Sequence, residues 1–208
     1  MAAGTMKKVS IELGGNAPYI MFDDADIDIA VASMLHASFA AVGRHVSLQT
    51  RYTCKAEFTM RVKKMREHIY DAVSKGAKLV VGSISLDLEA YLIEPALLTG
   101  VTSKMLVARE ETFGPLAPVF KFDTEEDVIE QANDTEFGLA SYIFSNDLRK
   151  IWRVANALEA GIVGVNTGVI SACEAPFGGI KESGLGKEGS KYGLAEFQVI
   201  KNITLSLE

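Results

Sequence analysis

Cysteine is scarce in this 208-residue chain: Cys54 and Cys173 are the only two, far apart and outside any CxxC spacing. That excludes a disulfide framework and a cysteine-based zinc site, and it fits a reducing, cytoplasmic setting. No apolar run approaches the length of a membrane span, and the charged start, residues 1–8, is not followed by a signal-peptide core, so a soluble protein is expected. Long basic runs are missing too. With a net charge of −6 and a pI near 5.2, the chain has no electrostatic footprint for nucleic acid or an anionic membrane. The partner expected is a small molecule or another protein.

What is present is apolar content of 48%, enough for one substantial core. Short apolar runs alternate with segments of helical period, which predicts an α/β fold with a largely parallel sheet flanked by helices. A buried strand is predicted at Pro18–Phe22, then a helix capped by Asp24 or Asp26 and closed by Gly43. Arg51–Cys54 reads as a short strand. Val62, Met65, Ile69, Ala72 and Val73 lie at helical spacing before Gly76. Strands are expected at Leu79–Val81, Leu116–Phe122, Leu139–Phe144 and Ile162–Asn166. Helices are expected after Thr124, which with Asp127 resembles a capping box, and along Leu148, Ile151, Trp152, Ala155 and Leu158. A last helical pattern covers Glu188–Leu194. Residues 1–195 form one domain on this reading. Residues 196–208 form a β-prone terminal strand that would be an adhesive edge if left unpaired, so pairing with a second subunit is expected.

The glycine-rich stretch Pro176–Gly186 lacks the spacing of a P-loop or of GxGxxG, and Glu12–Gly15 and Glu110–Pro115 are weak signals one at a time. Their order carries the information. KKVSIELGGNAP at Lys7–Pro18, EETFGPLAPV at Glu110–Val119 and NTGVISACEAPFGGIKESGLGKEGSKYG at Asn166–Gly193 together resemble the aldehyde dehydrogenase superfamily, and within it the succinate-semialdehyde dehydrogenases. The resemblance runs from Ala2 to about Lys201. It implies the family's α/β catalytic domain followed by a C-terminal oligomerisation strand, and hence a homodimer or larger assembly.

Carried over by position, the resemblance makes Glu12 the general base that activates water against a thioester. Glu111 becomes the residue that bonds the nicotinamide ribose, and Phe113 the one that contacts the nicotinamide side. Ser171 falls where semialdehyde-specific members bind the substrate carboxylate, and Phe177 lines the same tunnel. Cys173, in the same loop, is a substrate-side candidate whose plainer role is a small buried side chain beside a glycine turn. No metal site is implied.

Three departures stand against that pattern. The family's Gly-Gln-Thr-Cys reads Gly43-Arg44-His45-Val46, with Arg51 in register, and valine has no lone pair with which to form a thiohemiacetal. Family members carry a nucleotide-binding domain before the position of Glu12, and none is present in these 208 residues. From this follows the expectation of no cofactor, with Glu111 and Phe113 as vestiges. The segment between Cys54 and Val62 is also short. Cys54 reads as an inert buried thiol, and His36 and His68 as surface or boundary residues.

Two functions compete on this basis. One is a repurposed non-redox enzyme acting on a small carbonyl compound, with Glu12 and His45 as an acid/base pair, Arg44 as a neighbouring cation and Val46 against the substrate. The other is a non-catalytic binding or regulatory module, or a component that works with a full-length relative. A working aldehyde dehydrogenase is not expected of this chain alone.

Overall fold

The computed structural model describes residues 2–35, 54–83 and 94–206. Arg44, His45, Val46, His36 and Arg51 lie outside the described residues, as does the end of the helix predicted to reach Gly43. Strand β1 covers Ile11–Glu12 and β2 Tyr19–Met21; helix α1 spans Ile27–Leu35 and α2 Cys54–Ser74. Strands β3 (Lys78–Val81) and β4 (Ala96–Thr99) follow, then the single turn α3 (Leu106–Arg109) and β5 (Leu116–Val119). The chain continues through α4 (Glu125–Asn133), β6 (Ala140–Phe144), α5 (Leu148–Ala157) and β7 (Ile162–Val165), and ends with β8 (Gly184–Leu185) and α6 (Ser190–Glu196).

The fold is α/β, as the alternation predicts, but the described strands fall into three sheets instead of one. In the first, β6 lies between β2 and β7, parallel to both, with Tyr142 opposite Tyr19 and Gly164. In the second, β4 lies between an antiparallel β3 and a parallel β5. The third is the short antiparallel pair β1–β8. Both β4–α3–β5 and β6–α5–β7 are parallel strands joined through a helix, the connection that such pairing demands.

The hydrophobic interior of the described residues divides in the same way, into two clusters where one core is expected. Met65, Ile69 and Ala72 of α2 pack with Ala96, Leu98, Met105, Val107 and Leu116. Ile20, Phe22, Val128, Ile143, Ile151, Val154 and Leu158 form the second cluster under α4 and α5. The predicted stripe of α5 is half right: Ile151 and Leu158 are buried, whereas Leu148 and Trp152 face solvent and Val154 takes the inner place. Cys54 begins α2 and so belongs to no strand. Strand β4 was not expected. Its run Ala96-Leu97-Leu98-Thr99 is only four residues and carries no β-branched residue before Thr99, too little for the pattern to register.

Helix ends are closed by side chains where the sequence suggests it. Thr124 Oγ1 accepts from Asp127 N at 3.1 Å, while Asp127 Oδ2 accepts from Asp123 N at 3.0 Å. Between the two candidate caps of α1, Asp26 is the one used, its Oδ1 accepting from Ile29 N at 3.1 Å. Asp24 does something else. Its carboxylate accepts from Ser145 Oγ (2.7 Å), Asn146 N (2.7 Å), Asp147 N (2.9 Å) and Lys150 Nζ (2.9 Å), tying the exit of β2 to the turn between β6 and α5. These donors, Lys150 first, hold the Asp24 carboxyl far below the usual carboxylate range.

Candidate active site

Glu12 is placed by backbone pairing. In the β1–β8 ladder it stands opposite Gly184, and the next residue, Leu13, donates its N–H to the Ser183 carbonyl at 3.0 Å. Gly184 is required there: its φ is 141°, and a Cβ would collide with the Ile11 carbonyl. Ser183 is fully buried and its Oγ accepts from Gly138 N at 2.9 Å, so β1 is fastened to the edge of β6 as well. The Glu12 side chain itself faces solvent.

Beyond Glu12 the chain turns sharply through Gly14 and Gly15, and this turn meets Glu111. A Cβ on Gly14 would sit 3.2 Å from Glu111 Oε2, and one on Gly15 would press on Phe137 and Ser183 Oγ at 2.7 and 2.9 Å. The Gly15 N–H donates to the half-buried Glu111 carboxylate. Burial pushes the Glu111 carboxyl up from its ordinary value, and the nearby negative charge of Glu12 adds to the rise, against the Gly15 N–H and Lys64. Glu111 is therefore brought to the glycine turn that follows Glu12, 99 residues earlier in the chain, near enough for the charge of Glu12 to act on it.

Phe113 follows at once, half its surface open to solvent. Phe177 is half-buried, its backbone paired with Glu188 in both directions at 2.8 and 2.6 Å. Ser171 and Cys173 lie in the exposed loop before it, which is pinned where Ser190 N meets the Cys173 carbonyl at 2.8 Å. The small-buried-residue role for Cys173 is thus corrected: its thiol is free and exposed and donates to Glu174, because the loop turns outward to reach the start of α6. The structure brings Glu12 and Glu111 together. It leaves Ser171 and Cys173 on a separate loop.

One residue of this neighbourhood was misassigned from sequence. His68 is not at the surface or a boundary but 1% exposed in α2, with Nδ1 2.5 Å from Thr112 Oγ1 and Nε2 3.5 Å from Glu110 Oε2. The signal was present: position 68 lies three after Met65 and four before Ala72, on the face those residues bury. Burial keeps the His68 ring below the usual histidine range, helped by Lys64 and opposed by Glu110 and Glu67. Among the described residues no group of acidic, histidine and cysteine side chains could hold a metal ion, and no helix is long and apolar enough to cross a membrane.

Comparison with known proteins agrees with this arrangement. The model of the aldehyde dehydrogenase family matches residues 1–62 and 58–203. The succinate-semialdehyde dehydrogenase (NADP(+)) of Escherichia coli is 45% identical over 237 residues, covering 99% of this chain and 49% of that protein. The 3-sulfolactaldehyde dehydrogenase of Pseudomonas putida is 44% identical over 98% of this chain and 48% of its own length. The crystal structure of succinate-semialdehyde dehydrogenase from Burkholderia pseudomallei superimposes with a TM-score of 0.86 at 44% identity, covering 96% of this chain and 48% of that one. A betaine aldehyde dehydrogenase from Staphylococcus aureus solved in complex with NAD+ superimposes with a TM-score of 0.81 at 31% identity, over 95% of this chain and 46% of that one. The family model covers nearly the whole chain, and the chain belongs to the aldehyde dehydrogenase family.

The chain spans about half the length of the curated relatives it matches. The two matched segments meet at residues 58–62, and an alignment of 237 residues over a chain of 208 places the shortening in the region expected from sequence. The expectation of no cofactor is overturned. A relative 45% identical is named for NADP(+) and a structural neighbour holds NAD+, while Glu111 and Phe113 are both present on this chain. Among the described residues nothing marks the cofactor site as lost.

Proposed function

We propose that this chain binds a nicotinamide cofactor and a small acid-bearing aldehyde as part of a semialdehyde dehydrogenase-type protein, and that Val46 withholds the covalent step from it. The observation that carries this is the Glu111 carboxylate, half-buried against the Gly14–Gly15 turn with a donor from Gly15, an acidic group of the kind that accepts from hydroxyls such as those of a ribose. Phe113, two residues on and half exposed, offers an apolar ring face beside it. The bound cofactor supplies a hydride acceptor. Glu12, solvent-facing on β1, is the residue proposed to take a proton from water, and its exposure supports that reading. The names of the relatives favour aldehydes with an anionic group at the far end, and Ser171 in the exposed loop is the proposed contact for that group.

With valine in the nucleophile position, the chain binds these ligands without forming a thioester by itself, which makes it a binding component. Residues 197–205 support a homodimer or larger assembly: Phe197, Val199, Ile200, Ile203 and Leu205 are almost fully exposed and await a partner strand. Non-redox acid/base chemistry would need Arg44 and His45 beside Glu12, and no observation favours it over the ligand-binding role. The free thiol of Cys173 accords with a reducing, cytoplasmic setting.

The test is a fluorescence titration of the chain with NADPH. Saturable binding is expected, weakened about tenfold or more by Glu111→Gln, the loss typical of a charged hydrogen-bond acceptor. No saturable binding by the unaltered chain would overturn the cofactor assignment. Oxidation of succinate semialdehyde with NADP+ at an enzyme-like rate would overturn the role given to Val46.

A further inference from the structure

Glu111 lies between two residues that a single buried imidazole touches. His68 Nδ1 is 2.5 Å from Thr112 Oγ1 and Nε2 is 3.5 Å from Glu110 Oε2, so the ring meets the residues immediately after and before Glu111 while Glu111 itself is directed to the Gly14–Gly15 turn. We propose that His68 is a positioning residue that fixes the 110–112 segment and so presents the Glu111 carboxylate. In function this rests on the assignment of Glu111 to the cofactor.

Several features show more than an ordinary core histidine. The ring is 1% exposed, and burial with Lys64 favours its neutral form. Neutral imidazole has one N–H. Glu110, kept ionised by Lys64 at 3.1 Å, can only accept, so the proton belongs on Nε2 and Nδ1 accepts from the Thr112 hydroxyl. The charged groups around the ring are Lys64, Glu67 and Asp71 on its own helix and Glu110 opposite. At 3.5 Å the Nε2 contact is too long for a good hydrogen bond, and Nε2 makes no other among the described residues. The ring is thus placed by its bond to Thr112 and directed at Glu110. One turn earlier on α2, Met65 backs the same segment: a Cβ on Gly114 would lie 3.3 Å from Met65 Sδ. Helix α2 therefore follows the whole stretch, with the polar grip at the residues that flank Glu111.

A merely structural histidine would lower the melting temperature on replacement and leave the chemistry of Glu111 alone. A positioning one would not. Titration of the Glu111 carboxyl by 13C NMR separates the two in the full chain, with Thr112→Val as a mild variant beside His68→Leu. Glu111 should titrate above the ordinary glutamate range in the unaltered protein and fall toward the ordinary value of about 4.3 in both variants, as the loosened carboxylate gains solvent. His68→Gln, which keeps a donor and an acceptor, should lie between. NADPH affinity should drop about fivefold in Thr112→Val, the effect of one lost hydrogen bond. If NADPH does not bind but the Glu111 titration moves, the cofactor assignment fails and the positioning role stands. If Glu111 titrates identically in Thr112→Val and the unaltered chain, the positioning role is overturned.

Discussion

The two hydrophobic clusters are of similar make inside and unlike at their polar seams. Around β2, β6 and β7, the polar groups where the chain enters and leaves the layer are closed by several short hydrogen bonds at once. Asp24 collects four donors, Asp147 Oδ1 caps α5 by accepting from Arg149 N and Lys150 N, and Arg153 grips Glu125 bidentately to hold α5 to α4. Around β3, β4 and β5 the capping is done at a distance. Asp71, on α2, accepts from Leu106 N to close α3, whose own leading residue Met105 offers no cap, and a histidine sits inside the layer with one nitrogen loosely met. The first layer keeps a buried polar atom of its own, Ser141 Oγ in β6, without a partner among the described residues. The second contains the segment that presents Glu111, and its buried polar group is the kind that low local dielectric makes consequential. The Gly14–Gly15 turn joins them, touching Glu111 on one side and Phe137 with Ser183 on the other.

That joint gives the largest expected effect. Gly184→Ala cannot be accommodated without parting β1 from β8, and a loss of about 3 kcal/mol or more is expected in urea unfolding, together with release of the Glu12 strand. A loss of less than about 1 kcal/mol would mean the joint is slack and the two layers are held together elsewhere. Asp24→Ala comes next, at about 2–4 kcal/mol, because it leaves several donors of the β6–α5 turn without their shared acceptor.

The same comparison can be sharpened by acid. Asp24 titrates lower in the fold than unfolded, so its contribution is complete above about pH 3.9 and is lost as the pH falls through its folded value. His68 also binds its proton less readily in the fold, so its contribution is complete above about pH 6.5 and declines as the pH falls below that. Glu111, raised by burial, works the other way and favours the fold more as the pH falls. Amide protection factors between pH 7 and 5 should therefore change in β3–β4–β5 and hold in β2–β6–β7; equal loss in both layers would erase the distinction. The smallest effect is Thr124→Ala, which removes one cap of α4 for about 1 kcal/mol and should leave the β3–β4–β5 layer unchanged by the same amide measurement.

Much of the fold could be read in advance where periodicity and caps agree. The α2 face at 62, 65, 69 and 72, the strand at 19–21 and the Thr124 cap are local patterns, and local patterns survive folding when nothing tertiary competes. Glu12, Glu111, Phe113 and Phe177 were singled out because three motifs stand in a recognisable order, and of these the structure brings Glu12 and Glu111 near one another. Trp152 and Leu148 were misplaced because period alone does not say which side of a helix meets the sheet when apolar residues lie on both. Cys173 was misplaced because loops follow their anchors, here the Cys173 carbonyl held by Ser190 N, and not their composition.

The sequence by itself determined the family and the α/β alternation, since each is a property of residues in line. Only the tertiary structure decided that the core of the described residues is split in two, that Glu111 meets the glycine turn following Glu12, and that His68 is buried against the neighbours of Glu111. Those facts depend on contacts between residues tens of positions apart, made through sheet pairing and helix packing; the period of α2 marks the face that carries His68, but nothing in line names the residues it meets.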